Sequence, residues 1–541
     1  MLSAASRWID RTIFELGREM RLSYLPPLMV YCAAGVSGLT GIVGTFFIKD
    51  YLDLSAAFLA ALGFWAGIPW ALKMPIGHLV DLLWRYKSGL VYLGASLIAA
   101  SLLIMIGLIG SPDAMRAVMP VEAWFVLSVL LSPVGYVMQD AVADAMTVEA
   151  VPRIDEAGQP IGADTIRLMH TTMQMLGRVA IIGGSVLVSL ANVAMFQGAE
   201  LLPEAEKVAI YVRIYEYALI IPLLSVSGVL LGGVLKRREA RRLAGLGHSR
   251  SEINRLVHDA EEKTAPNWWI LGGSAAFIAL TLSVGLSGIA YGQEIIFVGS
   301  FSVIALMMKK LLRELSPEAS RTLLGTAIVI FIFRAMPGSG AGSGWWMIDQ
   351  LGFDQSFLSK LDLITSLLTL AGLFLFRRFM AEKSIANIII FLTVASTLLS
   401  SPIIGMFYGL HEWTAAMTGG IVDARFIAIA NTALESPLGQ VAMVPMLAWI
   451  ANSAPSHLKA TFFAVMASFT NLALSASQLG TKYLNQIFTI TREVKDATSG
   501  LVKTQADYSE LGLLLLTVTA LGLSLPLLAI WMTRRMGLRS A

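Results

Sequence analysis

Fourteen stretches of about twenty or more predominantly apolar residues run through this chain of 541 residues, and they constrain its fold more than any other feature. A helix needs about 20 residues to cross the hydrocarbon core of a bilayer, which is about 30 Å thick. That core offers the backbone no water to bond with, so each stretch is predicted to be a helix. The predicted spans are residues 28–48, 55–74, 88–110, 121–143, 165–192, 209–234, 268–289, 293–312, 319–337, 357–377, 385–407, 419–451, 459–488 and 510–533.

The composition supports an all-α polytopic membrane protein. Only 14% of the residues are charged, against about 25% in soluble domains. A net charge of +3 is too small to favour nucleic-acid binding. The one cysteine, Cys32, excludes an intrachain disulfide and a cysteine metal cluster. The six histidines share no metal-ligand spacing, and no Ser-His-Asp pattern stands out. We therefore expect a monomer in contact with lipid, without a cofactor or metal and without enzymatic activity.

The distribution of Lys and Arg predicts the orientation of the chain. With a cytosolic N-terminus, 27 of the 40 basic residues fall in cytosolic segments and seven in external ones. Because basic residues concentrate in cytosolic loops, both termini are predicted to be cytosolic. The expected location is a bacterial inner (plasma) membrane.

The spans and the charges divide the chain into five parts. Residues 1–25 are predicted to be an amphipathic cytosolic segment, or else a plain solvated tail. Residues 26–235 are predicted to form a six-helix bundle, and residues 319–535 a second one. Residues 236–266 are a charged cytosolic linker, whose basic run is a topology signal or binds a partner or anionic lipid. Residues 267–318 are predicted to be an inserted transmembrane hairpin, which leaves both termini on the same side.

The loop after the second span contains the pattern G-x-L-x-D-x-x-x-R, formed by Gly77, Asp81 and Arg85. Gly77 permits close backbone approach or a positive φ. Asp81 is suited to accept hydrogen bonds at a helix terminus, and Arg85 to pair with an acid across the turn. The pattern resembles the signature loop of the major facilitator superfamily, in which it would act as a gate. The alternative is an ordinary turn with a surface ion pair.

Ionisable side chains also lie within the fourth and fifth spans. Asp140 and Asp144 are four residues apart and share a helix face. The fifth span carries one polar stripe, formed by Arg167, His170, Gln174 and Arg178. Ionisable groups at membrane depth usually face a bundle interior or a watery cavity. Asp140 and Asp144 are expected to pair with Arg167 and His170 as a gate, or only to hold the bundle together.

Arg178 lies farther along the fifth span, at a depth where no acid of the fourth span is expected. It is therefore predicted to bind an anionic substrate together with Gln174. An acid from another helix, or a purely structural pair, is the alternative.

The second half carries its own arginine and a glycine-rich segment. Arg334 is predicted near the outer end of its span, as a second substrate-binding cation. The segment PGSGAGSGWW (337–346) that follows predicts an unwound helix end or a hinge. Its tryptophans, Trp345 and Trp346, are interpreted as interfacial anchors or as a stacking surface for a flat ring at the outer mouth.

Glu435 lies near the middle of a span and is the first candidate for proton coupling, with Asp140 as the second. Burial keeps a carboxyl group neutral, and exposure releases its proton. A structural hydrogen bond is the alternative role for Glu435. Gln440 and Asn471 are predicted to bind substrate, although Asn471 is equally suited to bridge helices.

Four segments carry a resemblance to a known family. They are Lys73, Pro75 and Gly77 ending at Asp81; Asp140 and Asp144 with Glu149; Pro337 followed by LGFDQSFLSKL (351–361); and Glu435 and Pro445 followed by ATFFAVMASFTNL (460–472). These segments resemble the folate-biopterin transporter family of the major facilitator superfamily. The resemblance implies two six-helix bundles, here with an inserted hairpin, and carrier-mediated transport of folates, biopterin and related pteridines with protons.

From this resemblance we expect uptake of an organic anion with a flat heterocycle, through a cavity between two rocking halves. Arg178 and Arg334 would meet its carboxylate. Muropeptide and acetyl-coenzyme A carriers of the same superfamily are an alternative. A non-transporting membrane protein on the same scaffold, such as an assembly factor or a receptor, is a third possibility.

Overall fold

The computed structural model is almost entirely helical. It describes residues 20–52, 54–71, 73–152, 154–155, 159, 161–257, 266–287, 289–313, 315–443, 445–446, 459–495 and 502–540. Most of the predicted amphipathic segment, residues 1–25, therefore lies outside the described residues. Within these ranges, eleven helices are long and apolar enough to cross a membrane.

The first half forms a bundle with six crossings. Its helices are α1 Leu25–Val36, α2 Gly41–Tyr51, α3 Ala56–Ala71, α4 Lys73–Leu82, α5 Ser88–Gly110, α6 Pro112–Arg116, α7 Val121–Ala150, α8 Ala163–Met195, α9 Glu204–Ala218 and α10 Ile220–Gly245. A 3-10 turn at Ser37–Thr40 joins α1 to α2 in one crossing. Helices α3 and α4 follow one another in the second crossing, and α9 and α10 in the sixth. The last helix continues through the basic run after residue 235 as far as Gly245.

The remaining elements comprise a short linker helix, a hairpin and a second six-crossing bundle. They are α11 Arg250–Val257, α12 Trp268–Leu286, α13 Gly292–Leu312, α14 Pro317–Arg334, α15 Ala341–Asp349, α16 Gln355–Leu375, α17 Arg377–Glu382, α18 Ile385–Phe407, α19 Leu410–Met417, α20 Ala424–Glu435, α21 Lys459–Ile487, β1 Val494–Lys495, β2 Val502–Thr504 and α22 Leu511–Arg535. The two strands form a small antiparallel sheet between α21 and α22.

Local sequence fixes where the helices of the second bundle begin. Each of four helices starts after a Ser or Asp whose side chain accepts a hydrogen bond from a backbone N–H of the first turn. These N-cap residues are Ser316 for α14, Asp354 for α16, Ser384 for α18 and Asp423 for α20. The cap at Asp423 also explains the long predicted span 419–451, because its first residues are bends and turns that precede the helix.

Helices α12 and α13 form the hairpin, and it contacts both bundles. The Gln293 side chain donates to the carbonyl oxygen of Ala61 in α3, at 3.0 Å. Lys482 of α21 donates to Glu294 at 2.9 Å. At the opposite end, the backbone N–H of Asn267 donates to His78 Nε2 at 3.0 Å. The hairpin therefore packs across the boundary between the two bundles.

The first crossing of the second bundle is broken. Helix α14 ends at Arg334, the chain is irregular over residues 335–340, and α15 resumes the helix. Gly340 has φ +74°, a conformation that favours glycine. The expected break is present, but Trp345 and Trp346 are only 2% and 5% exposed. Both interpretations of these tryptophans, interfacial anchors and an outer stacking surface, are therefore wrong.

Candidate functional site

A lysine and two aspartates form an ion cluster between α4 and α7. The Lys73 Nζ lies 2.5 Å from an Asp140 oxygen and 2.8 Å from an Asp144 oxygen. Tyr31 of α1 donates its hydroxyl to Asp144 at 2.6 Å. The spacing of four places the two acids on one face of α7, as predicted, so that a single ammonium group bridges them.

Four of the predicted site side chains lie outside the part of the chain that the structure describes. These are Asp81, Arg167, His170 and Gln174. The described partner of the two aspartates is Lys73. In the sequence, Lys73 contributes only to the family resemblance and is not a predicted partner of these acids.

Arg178 lies near this cluster. Its neighbour Gly177 packs on the Tyr31 ring so closely that a Cβ there would come within 2.9 Å of a ring carbon. The Arg178 charge acts on both Tyr31 and Asp140. No described carboxylate lies within ion-pair distance of the guanidinium, which leaves Arg178 able to take another anion.

The signature loop differs from its predicted geometry. Gly77 lies within α4, without a positive φ, and its Cβ position is open, so neither predicted reason for a glycine holds. Arg85 is exposed and makes no ion pair among the described residues. Instead, Lys87 and Lys236 pair with Glu149 at 2.6 and 2.8 Å. The reason is a 3-10 turn at Trp84–Tyr86, after which Lys87 is buried at 4% exposure.

Arg334 is a half-buried cation next to the break after α14. Its Nη1 lies 3.6 Å from the Met443 sulfur and 3.9 Å from the Met446 sulfur. Its Nε is buried without a hydrogen-bond partner among the described residues. A thioether is only a weak acceptor, and a buried charge normally has a partner. No described carboxylate therefore pairs with this guanidinium.

A second break follows α20 and places Glu435 at its edge. The Asn431 amide donates to Glu435 at 3.3 Å, and a 3-10 turn at Ser436–Leu438 ends the regular helix. Gln440 lies in the turn that comes next. Arg334 thus contacts the segment that follows this break, because Met443 and Met446 belong to it.

Asn471 connects the two bundles. Its amide donates to the carbonyl oxygen of Trp70 in α3 at 3.0 Å. Residue Gly63, two turns away on α3, faces Gln478 so closely that a Cβ would approach its oxygen to 2.7 Å. Of the two predicted roles for Asn471, the structure therefore supports helix bridging.

Several bonds join the two bundles at the end that the sequence predicts to be external. Lys49 of α2 pairs with Asp349 of α15 at 2.6 Å. The Arg492 side chain is 3% exposed and donates to three carbonyl oxygens of the first bundle, at 2.6–3.0 Å. Its guanidinium also stacks 4.3 Å from the Trp345 ring centre. These contacts close the bundles against each other at that end.

Comparison with known proteins agrees with this architecture. Residues 34–537 match the BT1 family. The chain is 22% identical over 462 residues to a folate-biopterin transporter from Synechocystis sp., covering 85% of this chain and 74% of that protein. It is 26% identical over 167 residues to a putative folate transporter 2 from Plasmodium berghei, covering 30% of this chain and 34% of that one.

Solved structures of transporters share the fold. A peptide transporter POT in complex with sulfate aligns with a TM-score of 0.57 at 14% identity, covering 96% of this chain and 95% of that one. The nucleoside transporter NupG aligns with a TM-score of 0.51 at 14% identity, covering 94% and 98%. The fold is that of the major facilitator superfamily, two six-helix bundles with an inserted hairpin. With a family match that runs through both bundles, this multi-pass membrane protein belongs to the BT1 family and is a transporter, not an enzyme.

Proposed function

We propose that this protein is a secondary active transporter that carries folate- or pteridine-like organic anions by alternating access, driven by protons. The observation that carries the proposal is Arg334, a half-buried arginine whose Nε is buried and which has no acid partner among the described residues. In a member of the BT1 family, whose relative in Synechocystis sp. bears the name folate-biopterin transporter, a carboxylate-bearing pteridine is the anion that fits.

Arg178 and Arg334, neither of which has a described carboxylate within ion-pair distance, suit the tail of such a substrate. A guanidinium presents a planar fork of donors that matches a carboxylate in a bidentate manner. Arg178 lies in the first bundle and Arg334 in the second, so substrate carboxylates that met both would draw the bundles together. Broken helices near a substrate site are a recurring feature of transporters, and α14 and α20 both end in breaks.

The bonds between the bundles support a conformation that is closed to the outside. Arg492 and the Lys49–Asp349 pair join the bundles at the predicted external end. At the opposite end, Lys73 and Lys87 each pair with an acid of their own bundle. Opening to the outside would have to break the first set while leaving the second intact.

A disulfide across the two bundles is expected to stop transport. The hydroxyl oxygens of Ser189 on α8 and Ser366 on α16 lie 3.3 Å apart, so the sulfurs of cysteines placed there would lie close enough to form a disulfide. In a Cys32→Ser background, oxidation of the variant Ser189→Cys with Ser366→Cys should abolish uptake, and a reductant should restore it. Each single cysteine variant is the matched control. Undiminished uptake by the oxidised double variant would contradict the rocking of the two bundles.

Two acids are proposed to take part in proton coupling. Glu435 lies at the edge of a helix break with only an Asn431 hydrogen bond among the described contacts. Asp140 shares Lys73 with Asp144, so the lysine is able to stay paired when Asp140 binds a proton. Either acid would bind or release a proton as alternating access changes the surroundings of its carboxyl group.

The proposed location is a bacterial inner membrane, with both termini cytosolic and the protein monomeric. The basic residues after the sixth crossing, including Lys236, support that orientation.

Replacing Arg178 with alanine should abolish transport and leave the protein folded. Because the guanidinium has no carboxylate within ion-pair distance among the described residues, its removal breaks no such ion pair. Uptake into proteoliposomes and size-exclusion chromatography of the purified variant would measure the two effects. Normal transport by Arg178→Ala would show that the residue does not bind the substrate.

The experiment that tests the proposed function is uptake of labelled folate into proteoliposomes, with and without an inward proton gradient. Uptake that unlabelled folate and biopterin compete for, and that the gradient accelerates, would support the proposal. The absence of any uptake above empty vesicles, under either condition, would contradict it.

A further inference from the structure

Asp362 is an acid within a membrane-spanning helix, and it is not among the site residues that the sequence predicts. It lies seven residues after the start of α16, which places it about 10 Å into that helix at ~1.5 Å per residue. No described side chain pairs with the carboxylate of Asp362, and the residue is nevertheless exposed in the folded chain. An acid at that depth is costly unless a ligand, a proton or water meets it.

Two neighbours on the same helix face show where Asp362 points. Gln355 donates to Tyr211 of the first bundle at 2.7 Å, and Ser366 bonds Ser189 of the same bundle at 3.3 Å. With about 100° between successive residues, Asp362 lies within roughly 40° of both. It therefore faces the first bundle, between these two contacts.

The lipid-facing side of α16 lies elsewhere. Leu367 and Leu375 are 47% and 71% exposed, and both lie roughly 140° away from Asp362 around the helix. The exposure of Asp362 is therefore not exposure to lipid.

Contacts farther along α16 show what lies next to Asp362 on the same helix face. Thr369 donates to the carbonyl oxygen of Ser436, and Gly372 abuts the Pro437 backbone. The next part of the helix face therefore meets the break after α20. Asp362 therefore lies on the helix face between the contacts with the first bundle and the contacts with that break.

We propose that Asp362 binds the amino-pyrimidine edge of a pteridine ring. This inference rests on the proposed function. A 2-amino-4-oxo-pteridine presents a ring N–H and an amino N–H side by side, and the two oxygens of one carboxylate accept both. The substrate would then have its ring edge at Asp362 and its carboxylate tail at the arginines. Such a site explains why a carboxylate is retained in the membrane without a partner among the described residues.

Binding measurements with three ligands test the site on the purified full-length protein. The ligands are folate, a folate analogue with a methyl group in place of the 2-amino group, and p-aminobenzoylglutamate, which lacks the pteridine ring. The unmodified protein should prefer folate over the methyl analogue by roughly 10- to 100-fold, the effect of losing a charged hydrogen bond. Asp362→Ala should remove that preference and leave p-aminobenzoylglutamate binding unchanged. Asp113→Ala, at an exposed acid, is the matched control and should keep the preference.

The outcomes separate this site from the proposed function. If Asp362→Ala still prefers folate, or if it weakens all three ligands equally, Asp362 does not recognise the ring edge although the protein binds folate. If the unmodified protein binds no folate, the proposed function itself fails. Should the alanine variant not fold, Asp362→Asn serves instead, because an amide has one acceptor oxygen and is expected to lose the preference as well.

Discussion

Replacing Arg334 with alanine should lower the initial rate of folate uptake by about 30-fold or more. The half-buried Arg334 side chain lies beside two methionine sulfurs, its Nε is buried, and it has no described acid partner, so the substrate carboxylate is the group expected to pair with it. Truncating one partner of a buried, hydrogen-bonded charge pair costs about 2–5 kcal/mol, and each 1.4 kcal/mol is a factor of ten. Uptake into proteoliposomes measures the change.

The thermal stability of the Arg334 variant distinguishes a binding role from a structural one. Since an unpaired buried charge destabilises the folded protein, Arg334→Ala should melt at the same temperature as the unmodified protein or higher. Arg116→Ala is the matched control, because Arg116 is exposed and its described ion pair is with Asp113. Arg334→Lys should recover part of the uptake, since an ammonium keeps the charge but loses the planar fork. If Arg334→Ala unfolds at a markedly lower temperature, the arginine supports the bundle instead of the substrate.

The spans and the hairpin could be predicted because the length of an apolar stretch is a local property of the sequence. The hairpin, predicted at 268–289 and 293–312, is observed at Trp268–Leu286 and Gly292–Leu312. The break after Arg334 was also predictable, because glycines and a proline cluster there. What the local pattern did not reveal is that a helix resumes as α15 and buries Trp345 inside the second bundle. That outcome depends on Arg492, almost 150 residues later, which stacks on the tryptophan.

The partners of the charged residues were much harder to predict than their positions. Lys73 lies at the end of a predicted span, where a lysine is ordinarily a cytosolic topology signal. No local sequence pattern therefore indicates its contact with Asp140. The same is true of Lys87, which pairs with Glu149 in place of the predicted Arg85. Sequence spacing fixes which residues share one helix face, whereas pairing between helices depends on how the helices pack.

The direction in which Asp362 faces was also hard to predict from the sequence. In the sequence it lies close to Lys360 in a polar segment near a span end, where acids are ordinarily solvated. Only the contacts of Gln355 and Ser366 show that it faces the other bundle. The residues of α16 therefore divide into a lipid side and an inner side that composition alone does not distinguish.

Lys73→Ala should both destabilise the protein and abolish uptake, because it leaves two carboxylates side by side without their shared cation. The three side chains are 19–40% exposed, so the cluster is mostly desolvated. Removing one partner of a buried ion pair typically destabilises a protein by about 3–5 kcal/mol. The melting temperature of the purified variant should therefore fall. A variant with an unchanged melting temperature would show that the cluster contributes nothing to folding.

Adding Asp140→Asn to Lys73→Ala should restore much of the stability, since a single carboxylate then remains, with Tyr31 still donating to Asp144. Residues in one ion-pair network typically show coupling energies of about 0.5–3 kcal/mol, and the melting temperatures of the two single variants and the double variant measure that coupling.

If Asp140 carries the coupling proton, Asp140→Asn alone should retain exchange of labelled for unlabelled folate but lose its acceleration by a proton gradient. The gradient-driven uptake of Asp140→Asn decides this, because an asparagine cannot exchange the proton while Lys73 remains paired with Asp144. Gradient acceleration that survives in this variant would assign the coupling to Glu435 or to another acid.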